Sequence, residues 1–409
     1  MNQEPRTTSH EPRTHTYAVK RSYAQQPLWK ERGPLLGRLD MELTERCNNA
    51  CIHCCINLPA GDARAKAREL RTEEWQDILR QAADLGALSV RFTGGEPLLR
   101  EDFAELYLYA RRLGLKVLLF TNARLITPQL ADLFARVPPL EIIEVSVYGL
   151  HRESYEAVTR APGSYAGFRQ GVERLLERGV PLAVKGALLP PNKAEMDEFA
   201  AWAVTIPWMD RPPTYAMFFE LRGRRDSEAK NRLIASLRLP PEEGLAVLTK
   251  RPEAYRSEMA EFCGKFMRAP GDLLFSCGAG HGGCVDAYGL LQPCMALRHP
   301  EAAYDLVGAR HASPLRDALT DFFPRLRERH ALNPDYLARC ARCFLHGLCE
   351  QCPGKSWSEH GTLDTPVEYL CQVAHAQARY MGLLAEGERA WEVEDGKERV
   401  RKMVKGDEA

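Results

Sequence analysis

The stretch TERCNNACIHCC, residues 44–55, decides how this chain is read. It sets Cys47, Cys51 and Cys54 at C-x3-C-x2-C spacing, directly after LGRLDMELT (36–44), whose apolar pattern predicts a β-strand. Three thiols this close in the chain can wrap one small inorganic centre. A four-iron, four-sulfur cube takes four thiolates, so three would leave one iron open to a ligand from outside the protein. A zinc ion, with His53 or Cys55 as fourth ligand, is the competing reading.

Outward from this stretch the chain alternates strand and helix. Thr72 is expected to cap a helix running to Gly86, with Glu73 and Glu74 at its positive end. ALSVRFT (87–93) reads as a second strand, and Asp102 as the cap of the helix DFAELYLYARRLG. Further strands are predicted at 115–121, 141–149, 181–189 and 214–221, with Thr127-Pro128 opening the helix after the third. Six strand–helix units imply parallel pairing, and a complete barrel needs eight. The expected fold class is therefore α/β, a partial (β/α)6 TIM barrel followed by a small Cys-rich iron–sulfur domain. The expected division is an N-terminal extension over 1–35, the barrel over 36–221, a charged helical bridge over 222–275, a metal-held region over 276–375, and a C-terminal helix fraying into a tail over 376–409.

Composition narrows the function. The 409 residues carry 55 basic and 55 acidic side chains, which gives no bulk attraction to nucleic acid or an anionic membrane. No apolar run spans a bilayer, and residues 1–26 lack a secretory core. Thirteen cysteines is an odd number for disulfides. A cytoplasmic setting is expected, where clustered thiols more often hold metal.

The second strand ends in Thr93-Gly94-Gly95-Glu96-Pro97. Two glycines suit a backbone that must approach a ligand closely, and Pro97 stiffens the turn. Such a loop can offer carbonyls and the Glu96 carboxylate to an ammonium group. With this motif following the cysteine triplet, residues 37–221 resemble the radical S-adenosylmethionine enzymes. The resemblance implies that Cys47, Cys51 and Cys54 hold a catalytic 4Fe–4S cluster whose open iron binds S-adenosylmethionine. It implies that Gly94, Gly95, Glu96 and Pro97 meet the amino group, that His53 lies beside adenine, and that Ser146 touches ribose or carboxylate. Asn122 and Arg160 are further implied contacts. Tyr148 stands where the family often has Asp.

A second group follows: Cys277, Cys284 and Cys294, then Cys340, Cys343, Cys349, Cys352 and Cys371. VDAYGLLQPC reads as a hairpin turning at Gly289. The block resembles the SPASM extension of some radical S-adenosylmethionine enzymes, with two residues rather than three between Cys349 and Cys352. That resemblance implies one auxiliary 4Fe–4S cluster on Cys277, Cys284, Cys294 and Cys352, and a second on Cys340, Cys343, Cys349 and Cys371. Cys55 and Cys263 remain as ordinary thiols.

The chemistry implied is reductive cleavage of S-adenosylmethionine to a 5′-deoxyadenosyl radical, which takes a hydrogen atom from the substrate. An electron donor such as flavodoxin or ferredoxin is implied, with the auxiliary clusters accepting the substrate's electron. The relatives so resembled are peptide and protein maturases, which make crosslinks or thioethers. The implied substrate is a peptide or protein side chain or backbone, and a leader would be read by a separate leader-binding protein or by the barrel. Met295 follows Cys294 where the sulfatase-maturing branch has an Asp that serves as base, leaving Asp286 and Tyr288 as candidates for a catalytic base. Two other readings stand: a radical enzyme acting on a small molecule as oxidoreductase or decarboxylase, and an iron–sulfur or zinc protein for electron transfer or binding.

Overall fold

The computed structural model describes residues 36–56, 58–210, 215–216, 228–308 and 313–405. The expected N-terminal extension, and most of the strand expected at 214–221, lie outside the described residues.

Six parallel strands run in chain order across one sheet: β1 Arg38–Thr44, β2 Ser89–Gly94, β3 Lys116–Thr121, β4 Leu140–Val147, β5 Leu182–Ala187 and β6 Tyr215–Ala216. Their two faces differ sharply. Leu39, Met41, Val90, Phe92, Val117 and Val145 point to one side and form a core with the crossover helices. Trp75, Ile78 and Leu79 of helix Thr72–Asp84 pack there. Helices Phe103–Arg112, Pro128–Arg136, Arg152–Thr159, Ser164–Glu177 and Met196–Ala203 cover the rest. The intervening positions, Asp40, Glu42, Arg91, Phe120, Glu144, Ser146 and Lys185, point to the inner face, as the two-residue strand period requires. This is the α/β partial barrel that the alternation predicts.

The sheet does not stop at β1. A hairpin, β7 Gly283–Val285 and β8 Leu290–Gln292, adds to its edge, with β9 Tyr304–Asp305 outermost. β7 runs parallel to β1, with Asp40 opposite Cys284. Gly289 makes the turn at φ +90°. The Cys-rich half and the barrel thus share one sheet of nine strands among the described residues.

Two caps differ from expectation. Arg71, not Thr72, occupies the cap of helix Thr72–Asp84, and the Glu74 carboxylate accepts from its backbone N–H (2.8 Å). The Thr72 hydroxyl instead donates to Asp102 (2.7 Å). Arg100 donates to the same carboxylate (2.8 and 2.6 Å), so Asp102 sits at a helix start without bonding its N–H groups. A guanidinium outcompetes backbone amides for a carboxylate because both partners carry full charge. Thr127 does cap its helix, accepting from the Leu130 N–H (3.2 Å).

The C-terminal segment also departs from a frayed tail. Leu383, Leu384 and Ala390 are buried in a second core with Cys263, Phe344 and Leu348. Helix Gly396–Lys405 packs on helix Pro252–Phe266. Gly396 lies so close to Phe344 that a Cβ there would stand 2.2 Å from its ring. The apolar residues are sparse and set among charges, so local hydropathy does not reveal them.

Candidate active site

The loop after β1 is held at every turn by backbone bonds to other elements. Ala50 N–H donates to Thr159 O (2.8 Å) and Ile52 N–H to Val158 O (3.0 Å), fastening it to the end of helix Arg152–Thr159. Leu58 N–H returns the chain to Glu45 O (2.8 Å), and Cys54 N–H closes a tight turn on Cys51 O (3.2 Å). The Cys47 sulfur accepts from Asn49 N–H (3.4 Å) and from the Asn122 amide (3.8 Å) at the end of β3. Burial pushes the Cys47 thiol up to about 12, with Glu96 and Cys54 adding to it. Cys51 is raised by burial and then by Cys54 and Cys47. Buried thiols that destabilise one another's anions fit a site where a cationic centre takes the charge.

The loop after β2 interlocks with this one. Gly95 N–H donates to Thr44 O (2.7 Å) and Glu96 N–H to Arg46 O (2.9 Å). A Cβ on Gly94 would stand 2.2 Å from Thr44 O, and one on Gly95 2.2 Å from Arg46 O. The glycines therefore admit the backbone leading to Cys47. The close approach expected for a ligand is here made by the protein itself. Glu96 is fully buried, and burial pushes its carboxyl up to about 7. It accepts from Thr121 Oγ1 (2.8 Å), Asn122 N–H (2.8 Å) and Leu98 N–H (3.2 Å). Its carboxylate thus ties β2 to β3, and Pro97 opens a short turn beyond it.

His53 packs edge-on against Tyr148, ring centres 5.0 Å apart, and burial lowers its pKa to about 4. Tyr148 shares a hydrogen bond with Ser146 on β4. Both rings thus lie beside the triplet. Arg160 ends helix Arg152–Thr159 in the left-handed region and is exposed.

Sequence reasoning missed the lattice beneath the loop. Arg46 is buried and donates to both oxygens of Glu69 (2.8 and 2.9 Å) and to Ala60 O (3.0 Å). Arg100 stands 3.8 Å from the same carboxylate and pairs with Asp102. Arg124 donates to Asn48 O and to Asn49 Oδ1 (2.6 Å). Arg46 is adjacent to Cys47, but Glu69 and Arg100 are distant in sequence, and no local motif announces the set.

The second cysteine group gathers in two places. Cys340, Cys343, Cys349 and Cys371 line one small cavity of about 30 Å³. Burial pushes Cys340 up to about 12, and Cys349 and Cys371 add to it. Arg339 Nη2 donates to the Cys371 sulfur (3.6 Å). Ala390 N–H donates to His375 Nε2 (3.2 Å), which leaves Nδ1 to donate to Cys371 O (2.8 Å) and fixes the tautomer. Elsewhere, Gly280 N–H reaches Pro293 O (3.2 Å), bringing the loop after Cys277 to Cys294. Cys352 caps helix Pro353–His360, whose Gly354 lies against Ala296 (a Cβ would be 2.8 Å from its carbonyl). Cys284 is wholly buried on β7, opposite Gln292 of β8. Among the described residues no three His, Cys, Asp or Glu side chains close on a single-ion position. A cluster several atoms across accepts thiols set farther apart than one ion does. Cys263 is buried in the second core.

Asp286 and Tyr288 are both engaged. Asp286 accepts from Tyr288 N–H (2.9 Å), Leu290 N–H (3.0 Å) and Gln292 (3.4 Å), shaping the hairpin turn. The Tyr288 hydroxyl donates to Glu45 (2.5 Å), and Arg68 lies over its ring (4.2 Å). Asp286→Ala is expected to cost about 2 kcal/mol, because the part-buried N–H groups of Tyr288 and Leu290 and the Gln292 amide lose their acceptor, and to lower the melting temperature by about 4 °C. Activity lost at an unchanged melting temperature would instead mark a catalytic base.

A parallel α/β sheet bearing a thiol triplet at the C-terminal end of β1, interlocked with a glycine loop at the end of β2, defines the class. Residues 41–203 match the radical SAM superfamily. Over 242 residues the chain is 29% identical to the PqqA peptide cyclase of Rhizobium meliloti, covering 54% of this chain and 60% of that one. It is 30% identical over 155 residues to the AdoMet-dependent heme synthase of Methanosarcina barkeri, 38% of this chain and 43% of that one. The chain thus spans less than two thirds of the length of these relatives. The structure of anSMEcpe with bound AdoMet and Cp18Cys peptide is similar in fold, with a TM-score of 0.57 at 14% identity, over 85% of this chain and 96% of that one. No described helix is long and apolar enough to cross a membrane.

Proposed function

We propose that this protein is a peptide-modifying radical S-adenosylmethionine enzyme that installs an oxidative crosslink, thioether or similar change. The observation that carries the proposal is the interlock of the Cys47–Cys54 loop with Gly94–Pro97, in a sheet extended by a Cys-rich hairpin. Cys47, Cys51 and Cys54 would hold a 4Fe–4S cluster that, with S-adenosylmethionine on its open iron, supplies a primary carbon radical able to take hydrogen from an unactivated carbon. The chain's own work is placement. Arg46–Glu69 and Arg124 hold the loop, Asn122 donates toward Cys47, and Glu96 braces the ends of β2 and β3. His53 and Tyr148 offer an aromatic wall beside the cofactor.

Eight of the remaining ten cysteines would hold two auxiliary clusters, one on Cys277, Cys284, Cys294 and Cys352 and one on Cys340, Cys343, Cys349 and Cys371. With four thiolates each they suit electron transfer better than substrate ligation. An external donor such as flavodoxin or ferredoxin, a separate leader-binding protein and a cytoplasmic setting belong to the same proposal. The longer similarity to a peptide cyclase, and the fold shared with a peptide-bound structure, favour a peptide over a small molecule.

Co-expression with candidate peptides, followed by mass spectrometry, tests this. A mass change dependent on S-adenosylmethionine is expected; turnover of a small molecule with no peptide modified would overturn it. Anaerobic reconstitution is expected to give about twelve irons per chain, and four or fewer would sink the three-cluster assignment. The Arg339–Cys371 contact carries a further expectation. Arg339→Gln removes a cationic donor to a ligand sulfur, which lowers the potential of that cluster. A redox titration followed by electron paramagnetic resonance checks this, and an unchanged potential would refute it.

A further inference from the structure

The inner face of β1 and β2 carries charge that the interlocked loops do not use. Asp40 and Arg91 are register partners, joined by Arg91 Nη1 to Asp40 Oδ2 (3.0 Å). Glu42, 2% exposed, pairs with Arg298. Glu144 pairs with Lys185 farther along the same face. Every charge there has its counter-charge. Yet Asp40 Oδ1, Glu42 Oε2 and Arg91 Nε are buried without a hydrogen-bond partner. Native proteins rarely leave buried polar atoms unmet, and three on one patch of two adjacent strands point to a missing partner.

The patch lies between the two thiol sets. Cys284 is the register partner of Asp40. Arg91 reaches the sulfur of Met295, next to Cys294 (3.7 Å). Its guanidinium also lies over Phe120 (4.9 Å), two residues before Asn122, which touches Cys47.

We propose that Asp40, Glu42 and Arg91 form a substrate subsite that takes a neutral group bearing both donors and an acceptor: a peptide amide or a side-chain carboxamide. Two carboxylate oxygens ask for donors, and one guanidinium N–H asks for an acceptor. A charged group would arrive without a counter-ion, since the three pairs already balance, and its desolvation would be unrequited. An apolar group would leave all three atoms unmet. The inference rests on the peptide reading above and names the part of the peptide this face holds.

Two variants test it, on the reconstituted protein and a peptide that the wild type modifies. Arg91→Lys keeps a cation against Asp40 and removes the Nε donor. It is expected to raise KM for the peptide about tenfold, with the melting temperature within about 2 °C of wild type. An unchanged KM overturns the subsite, whereas a wild type that modifies no peptide overturns the peptide reading instead. The pair Asp40→Leu with Arg91→Met needs no peptide. If the charges are kept for a ligand, replacing both leaves the melting temperature equal or higher. A fall of several degrees would mean that the pair serves the fold, and would overturn the proposal.

Discussion

Cys51→Ala is expected to abolish 5′-deoxyadenosine formation and to reduce iron from about twelve to about eight per chain. The loop survives the change while the ligand does not. Cys51 is bracketed by the backbone bonds of Ala50 to Thr159 and Ile52 to Val158, and none of these involves its sulfur. Arg124 and the Arg46–Glu69 pair hold the same loop from the other side. The melting temperature of the metal-free protein should therefore move little, and the loss should be one of chemistry. Cys55→Ala is the control. Cys55 packs partly buried against Ile52 and Val158 in a small apolar cluster, and its loss should cost about 1 kcal/mol and leave the iron content intact. Deoxyadenosine release by Cys51→Ala at the wild-type rate would remove the triplet from the active site.

Gly95→Ala is expected to be nearly as damaging for a different reason. The added Cβ would stand 2.2 Å from Arg46 O, 2.6 Å from the Arg46 carbonyl carbon and 2.8 Å from Glu45 O. All three are backbone atoms, so no side chain can swing aside. Either β2 or the segment leading to Cys47 must shift. Overpacking of this kind costs about 3 kcal/mol. Displacing a reacting group by about 1 Å costs about 100-fold in rate. Deoxyadenosine formation should fall by about that factor, and the melting temperature with it. Gly61→Ala measures the loss of a glycine alone, because its φ is not positive and a Cβ there meets no atom within 4 Å. If Gly95→Ala loses no more than Gly61→Ala, the interlock of the two loops is not what positions the triplet.

The thiol triplet and the glycine loop were legible because each is written in consecutive residues. Spacing alone places three sulfurs together, and two glycines advertise a close approach. What approaches was not legible: it is the backbone of Thr44 and Arg46, seen only once β1 and β2 pair. Local rules make caps of Thr72 and Asp102, but Thr72 donates to Asp102, which also accepts from Arg100, a choice made by residues brought together in the fold. The hairpin was recognisable from its turn at Gly289. Its docking parallel to β1 was not, because three-residue strands carry too little pattern to name a partner.

By itself the sequence determined the strand–helix alternation, hence the parallel sheet, and the grouping of thiols that short spacing sets together. Those features depend on backbone geometry within a few residues of chain. Only the tertiary structure decided that the Cys-rich hairpin completes the edge of the barrel sheet, that the C-terminal segment builds a second core, and that Asp40, Glu42 and Arg91 share an inner face with atoms unmet. Those depend on contacts between residues far apart in sequence, where burial and charge pairing follow from which surfaces the folded chain brings into register.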